Sequence, residues 1–248
     1  MNEKRFLLGV LGGLGPMSTV YFCELLTAHT DATRDADHID MIISSRASTP
    51  DRTAFILGKS ALDPLPAMIE EAQRLTRAGA DLIVIPCNTA HYFYDGLKAA
   101  INTPMLNIIE ETLAQLKRSG VRKFGLLATE GTVKAGAYST LCASYGLECV
   151  TPDEDDQDIV TSIIYDHIKQ NKPVDMDAFL AVCDRLLANG CERLVLGCTE
   201  LSLLKKSVPD ERIFIDSLEV LAYQTILAAN KRPIGFPADF SAREEASE

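Results

Sequence analysis

Two short segments of this chain repeat each other, and each repeat ends in a cysteine. Residues 79–89 line up with residues 190–200, placing Cys87 opposite Cys198 at a constant offset (190 − 79 = 198 − 87 = 111). The same offset pairs Arg74-Leu75 with Arg185-Leu186 upstream. A chain that builds an apolar strand and then a cysteine turn twice is constrained toward two related halves. Such halves can present two thiols symmetrically to one substrate, as needed to remove a proton from one face of a carbon and return it on the other.

The surrounding pattern extends the repeat. Residues 6–11, 41–43 and 82–85 read as strands, and 16–30, 65–78 and 91–100 as helices, with a turn at Cys87-Asn88-Thr89. Strands in continuous apolar runs, alternating with helices, predict parallel sheets covered on both faces. The pattern restarts at 123–129, where Glu130-Gly131-Thr132 takes the place of an earlier glycine turn. Helices are predicted at 135–145, 158–170 and 178–188 before the Cys198 strand, and a last helix at 218–229 packs back on the first half.

The fold class is therefore α/β: two similar α/β domains with mostly parallel sheets, related by pseudo-twofold symmetry, with the active site in the interdomain cleft. The chain changes halves near 111–121. Residues 1–115 with 215–248 form the first domain, carrying Cys87, and 116–214 form the second, carrying Cys198. In open parallel sheets ligands bind beyond the carboxyl ends of the strands, which is where both cysteines fall.

At 248 residues, 47% hydrophobic and 24% charged, the chain can bury a sizeable core. Its formal charge of −11 argues against nucleic acid, which demands clustered Lys and Arg. The acidic runs 153–156 and 244–248 read as solvated surface. No stretch approaches a membrane helix, the N-terminus has no signal-peptide pattern, and seven cysteines without framework spacing fit a reducing compartment. The expectation is a cytoplasmic protein with no membrane partner.

A cysteine between a strand end and a helix start lies near exposed N–H groups and the positive end of the helix dipole, both of which favour the reactive thiolate. Asn88, Thr89 and Thr199 suit helix starts and carboxylate binding. Taken singly, a cysteine after a buried strand is more often a packed core residue; the duplicated setting reverses that reading for Cys87 and Cys198. Cys23, Cys142, Cys149, Cys183 and Cys191 lack it and are assigned to structure. No CxxC pair or His cluster completes a zinc site, so no metal is expected.

The glycine loop at 12–16 invites a dinucleotide reading, but it does not spell GxGxxG, Pro16 sits where the helix opens, and no acidic residue ends the second strand. A loop that lets a small anion approach fits better.

Gly12-Gly13-Leu14-Gly15-Pro16-Met17-Ser18-Thr19, Pro86-Cys87-Asn88-Thr89-Ala90-His91 and Gly197-Cys198-Thr199-Glu200-Leu201 resemble the aspartate/glutamate racemase family over roughly residues 5–230. Glu200 resembles the aspartate racemase branch, since glutamate racemases usually place His there. The resemblance implies a racemase without cofactor, using Cys87 and Cys198 as two bases on an amino-acid dicarboxylate, often as a homodimer. It implies that Arg52 holds the side-chain carboxylate, that Lys169 is a second cation, and that Thr129 and Thr132 line the cleft. Met17, Asn88, Thr89, Thr199 and Glu200 complete the implied substrate contacts. His91 is not expected to be the base; it faces the helix interior or a partner subunit. Alternatives are a glutamate, broad-specificity or hydantoin racemase, a maleate-type dicarboxylate isomerase, an amino-acid sensor without turnover, and a nucleotide-dependent oxidoreductase.

Overall fold

The apolar runs that read as doubly covered strands do form two parallel sheets. The structure is a computed structural model and describes residues 5–208 and 213–240. The first half runs β1 (Leu7–Gly12), α1 (Pro16–His29), β2 (Asp40–Ser45), α2 (Arg52–Ile56), α3 (Leu65–Arg77), β3 (Leu82–Val84), α4 (Tyr94–Ala100) and α5 (Ile108–Arg118). The second runs β4 (Lys123–Leu127), α6 (Glu130–Lys134), α7 (Ser139–Cys142), β5 (Glu148–Val150), α8 (Glu154–Ser162), α9 (Met176–Ala188), β6 (Arg193–Leu196), β7 (Phe214–Asp216) and α10 (Ser217–Ala228). The strand orders are β2-β1-β3 and β5-β4-β6-β7, and every pairing is parallel. Met105 bridges Ile83 in the position that β7 takes beside β6, so the two sheets share one plan.

Side chains of the repeat keep their faces. Val84 and Val195 point into a central core shared by both sheets with α1, α5 and α10. Ile83 and Ile85 pack outward under α3, and Leu194 and Leu196 outward under α9. Each fully buried aliphatic side chain contributes about 1.5–3 kcal/mol. Gly9 and Gly125 are required by the same packing. A Cβ on Gly9 would lie 3.0 Å from the Ala80 Cβ and 3.3 Å from the Leu75 Cβ, and one on Gly125 2.7 Å from Leu194 Cδ2 and 3.2 Å from the Leu186 Cβ.

α10 is buried over most of its length and packs against both α1 and α5. Its preceding strand belongs to the second sheet, so a division at 214/215 runs through β7.

The region 111–121, where the chain is expected to change halves, is mostly α5, an amphipathic helix capped by the Asn107 side chain, with Glu110 and Glu111 in its first turn and Lys117 and Arg118 in its last. Other sequence expectations are corrected. The helix expected at 135–145 is broken, because Gly136 adopts φ 65° between α6 and α7. The helix expected at 158–170 starts earlier at the Asp153 cap; beyond Ser162 it passes into a wide π turn (Ile163–His167) and a tight 3-10 turn (Ile168–Gln170), and stops at Asn171 with φ 54°. Within the acidic run 153–156, Asp156 is buried and paired with both nitrogens of one edge of Arg185. The run 244–248 lies outside the described residues.

Beyond α10 the chain returns to the far end of α1, where Ile234 N–H donates to His29 O at 2.9 Å and Thr30 bridges Pro233. α1 begins at the glycine loop, and its 14 residues span about 21 Å. Residues 231–240 therefore pack away from the cysteine loops.

Candidate functional site

The site is assembled by the loops that leave the carboxyl ends of the central strands. Both cysteine turns bend sharply after β3 and β6, and each is pinned to the start of the helix that follows the next strand. His91 Nε2 accepts from Ile108 N–H at 3.2 Å, while Ser202 Oγ, at the equivalent position, donates to Asp216 Oδ1 at 2.7 Å. The Thr199 hydroxyl crosses the domain boundary to Pro86 O at 3.3 Å, locking the two turns together.

Between them lies a small cavity lined by Cys87, Asn88, Thr89, Thr129, Cys198, Thr199 and Glu200, together with Arg52 and Lys169. Leu14, Asp51, Thr53 and Tyr165 complete the wall. Of the residues expected from sequence, these nine converge. Thr132 stands behind, bonded to Thr89 and Thr129 in a triangle of hydroxyls with edges of 2.9–3.0 Å. Met17 does not line this cavity: it is 62% exposed, beside an adjoining apolar groove that shares only Lys169 and Glu200 with it.

Asn88 is committed elsewhere than its expected carboxylate role. Its amide oxygen accepts from the Tyr138 hydroxyl at 2.7 Å, and its nitrogen donates to Ser217 Oγ at 2.9 Å. Ser217 in turn donates to Leu196 O at 2.7 Å, so this network ties α10 and the region before α7 to both cysteine strands.

Arg52 is held by backbone carbonyls: its Nη1 donates to Thr49 O and Pro50 O, and its Nη2 to Leu14 O at 3.0 Å. The Nε N–H is buried and has no partner. Nε lies on the edge of the guanidinium that grips a carboxylate side-on, as Arg185 grips Asp156 here. An unpaired buried N–H is costly, and a bound carboxylate oxygen would satisfy it. Lys169, on the tight turn after α8, pairs with Glu200 Oε1, and Glu200 Oε2 accepts from the Cys198 thiol at 3.0 Å. Gly15, at φ 131°, passes so close to Glu200 that a Cβ there would collide with the carboxylate.

The expected bias toward thiolate is only part of the electrostatics. Burial is the largest influence on both thiols and raises their pKa values. Arg52, the Ala90 N–H and Lys169 pull Cys87 back down, while Glu200 pushes it up. Cys198 is pushed well above the ordinary thiol by burial and then by Glu200, against Lys169. Burial works against the Lys169 ammonium, but Glu200 beside it holds it charged. His91 is buried, with Nδ1 on Cys87 O at 2.9 Å; burial lowers its pKa to about 4, so it is a neutral strut rather than a base. Among the described residues no cluster of His, Cys, Asp and Glu could hold a metal, and all seven cysteines are unpaired.

Sequence reasoning missed Tyr165, Asp51 and the Tyr138–Ser217 support. Asp51 carries a local signal, since an Asp that caps a helix start commonly precedes it, here bonding Ala54 N–H at 2.7 Å. Tyr165, which lines the cavity from within the π turn, carries none.

Two α/β lobes, each delivering one thiol from an equivalent loop to a shared polar cavity, define a distinctive class of two-lobed protein. Within that class the chain belongs to the Asp/Glu/hydantoin racemase family, whose profile matches residues 11–225. It resembles the solved aspartate racemase of Picrophilus torridus at 32% identity and a TM-score of 0.77, covering 92% of this chain and 96% of that one. It is 28% identical to the broad specificity amino-acid racemase RacX of Bacillus subtilis (strain 168), over 89% of this chain and 96% of the relative. It is 30% identical to the glutamate racemase of Aquifex pyrophilus over 62% of this chain and 58% of the relative. Among the described residues no helix is long and apolar enough to cross a membrane.

Proposed function

We propose that this protein is an amino-acid racemase that interconverts L- and D-aspartate with two cysteines and no pyridoxal phosphate. The observation that carries the reading is that Cys87 and Cys198, from equivalent loops of the two lobes, line one cavity with a cationic wall of Arg52 and Lys169. Arg52, whose Nε N–H is unpaired, receives the side-chain carboxylate. One thiolate takes the Cα proton, forming an S–H bond as the C–H bond breaks. The opposite thiol then gives its proton to the other face of the carbon, leaving a thiolate there. No electrons are gained or lost, and the reverse reaction exchanges the roles.

The Cα–H of an amino acid is a very weak acid, so the developing charge must be stabilised by fixed dipoles and cations in a site shielded from water. Each tenfold in rate requires about 1.4 kcal/mol, which spreads the task over several groups. Proton NMR in D₂O tests the reading. Loss of the Cα proton signal of aspartate, with the opposite enantiomer appearing on a chiral column and no added pyridoxal phosphate, is the expected outcome. Folded, reduced protein that exchanges no amino-acid Cα proton would sink it.

A second reading, broad-specificity racemisation, is favoured by Glu200. Its charge offsets that of Lys169 and lessens the demand for a second substrate carboxylate. Alanine exchanging as fast as aspartate in the same experiment would select that reading.

A further inference from the structure

We propose that Glu200 is a positioning residue that keeps Cys198 as a thiol in the substrate-free protein, so that Cys87 is the resting base and the two lobes hold unequal proton inventories. This deepens the racemase reading and rests on it for its kinetic consequence, though not for its chemical one.

The geometry is direct. The Cys198 Sγ donates to Glu200 Oε2 at 3.0 Å, and Glu200 Oε1 takes the Lys169 ammonium. A carboxylate that accepts an S–H bond stabilises the protonated sulfur, and it would repel the thiolate that replaces it. Lys169 hydrogen-bonds the carboxylate and acts on the sulfur only through its charge. Cys87 has no such keeper: the position equivalent to Glu200 is Thr89 (89 + 111 = 200), whose hydroxyl is tied into the Thr129–Thr132 triangle. The charged and titratable groups facing the two thiols are Glu200, Lys169 and Tyr165 for Cys198, and Arg52, Glu200 and Lys169 for Cys87. Only Cys198 has a carboxylate within hydrogen-bond reach. Burial does not distinguish the two, at 7% and 5% exposure.

A kinetic asymmetry follows. The enantiomer whose proton Cys87 removes meets the resting form, whereas its mirror image must find the minor form with the thiolate at Cys198. Enantiomers have equal free energy, so kcat/KM must be identical in the two directions. The asymmetry therefore appears as a lower KM with a proportionately lower kcat for the enantiomer that fits the resting form. After each turnover of that enantiomer Cys87 loses a proton to water and Cys198 regains one; turnover of its mirror image requires the opposite exchange.

The test uses Glu200→Gln, which keeps a hydrogen-bond acceptor, removes the charge and frees Lys169. Substrate-free protein is alkylated with iodoacetamide below the pKa of both thiols, and each cysteine peptide is followed by mass spectrometry. Labelling then tracks thiolate fraction. Wild-type protein is expected to label at Cys87 first. In Glu200→Gln the Cys198-to-Cys87 labelling ratio should rise about tenfold, the change that one pKa unit produces. The L-to-D ratios of KM and kcat should shift together, with kcat/KM still equal. An unchanged labelling ratio in folded variant overturns the proposal. If Glu200→Gln does not fold, Lys169→Met reads the same coupling with opposite sign, a fall in Cys198 labelling; no fall overturns it equally. Absence of Cα exchange by wild type would instead break the racemase reading and leave the labelling result standing.

Discussion

Cys87 and Cys198 leave equivalent strands by equivalent turns, yet they end in different company. After Cys87 come Asn88 and Thr89, neutral groups bonded to Tyr138, Ser217 and two threonines. After Cys198 comes Glu200, charged, bonded to the thiol itself and to Lys169. The difference continues behind the turns. His91 rests on Ile108 at the start of α5, whose cap is the neutral Asn107, whereas Ser202 rests on Asp216, the acidic cap of α10. The duplicated backbone delivers two thiols to one place, and the side chains that follow make one turn neutral and the other ionic. A racemase needs the first property for stereochemistry. The second decides which proton is where before substrate arrives.

The hardest test of the equivalence is to remove each sulfur. Cys87→Ser and Cys198→Ser should each lower racemisation by roughly 10²–10⁴-fold, the usual scale of a lost acid–base group. Near-normal turnover in either variant would reduce the pair to a single base.

Arg52→Ala should cost aspartate about 10–100-fold in kcat/KM, the loss of a charged hydrogen-bond pair, and cost alanine much less. Equal losses would show that Arg52 holds loops through Thr49, Pro50 and Leu14 and does not grip the substrate side chain.

The symmetry of the scaffold can be sharpened with Gly9→Ala and Gly125→Ala, each expected to destabilise by about 1–3 kcal/mol through overpacking, read from urea midpoints. Gly9→Ala should cost more, because it meets the fixed Cβ of Ala80 while Gly125 first meets the mobile end of Leu194.

The last comparison concerns the two helix caps and shows only in the pH dependence of stability. Burial, reinforced by Glu219, raises the Asp216 carboxyl to about 7, and its Oδ2 has no partner. Between about pH 4 and 7 the folded protein keeps a proton that the unfolded chain has released. That contribution to stability is whole below pH 4 and is lost as the pH rises to 7, at up to about 1.4 kcal/mol per pH unit. Asp216→Asn makes this cap resemble Asn107 and should flatten that slope in urea melts. A slope unchanged by the substitution would show that the acid titrates normally.

Much of this was legible in the sequence because it is local or repeated. A strand, a turn and a cysteine within eleven residues encode their own geometry, and a second copy at constant offset implies the same strand order and a shared cleft. Capping and periodicity also contained α5, although its place between the halves made 111–121 read as a boundary. The resemblance to racemases reached Arg52 and Lys169 as residue types, but not what they touch.

The tertiary structure alone decided the rest. That Asn88 is spent on Tyr138 and Ser217, that Arg52 leaves its Nε unpaired, and that Glu200 bonds a thiol all depend on groups meeting across the fold. Tyr138 and Ser217 are 50 and 129 residues from Asn88. Met17, adjacent to the glycine motif in sequence, lies outside the cavity. The reason is physical: propensity and pattern act over a turn or two of chain, whereas hydrogen-bond partners, burial and the pKa of a thiol are set by whatever the folded chain packs beside it.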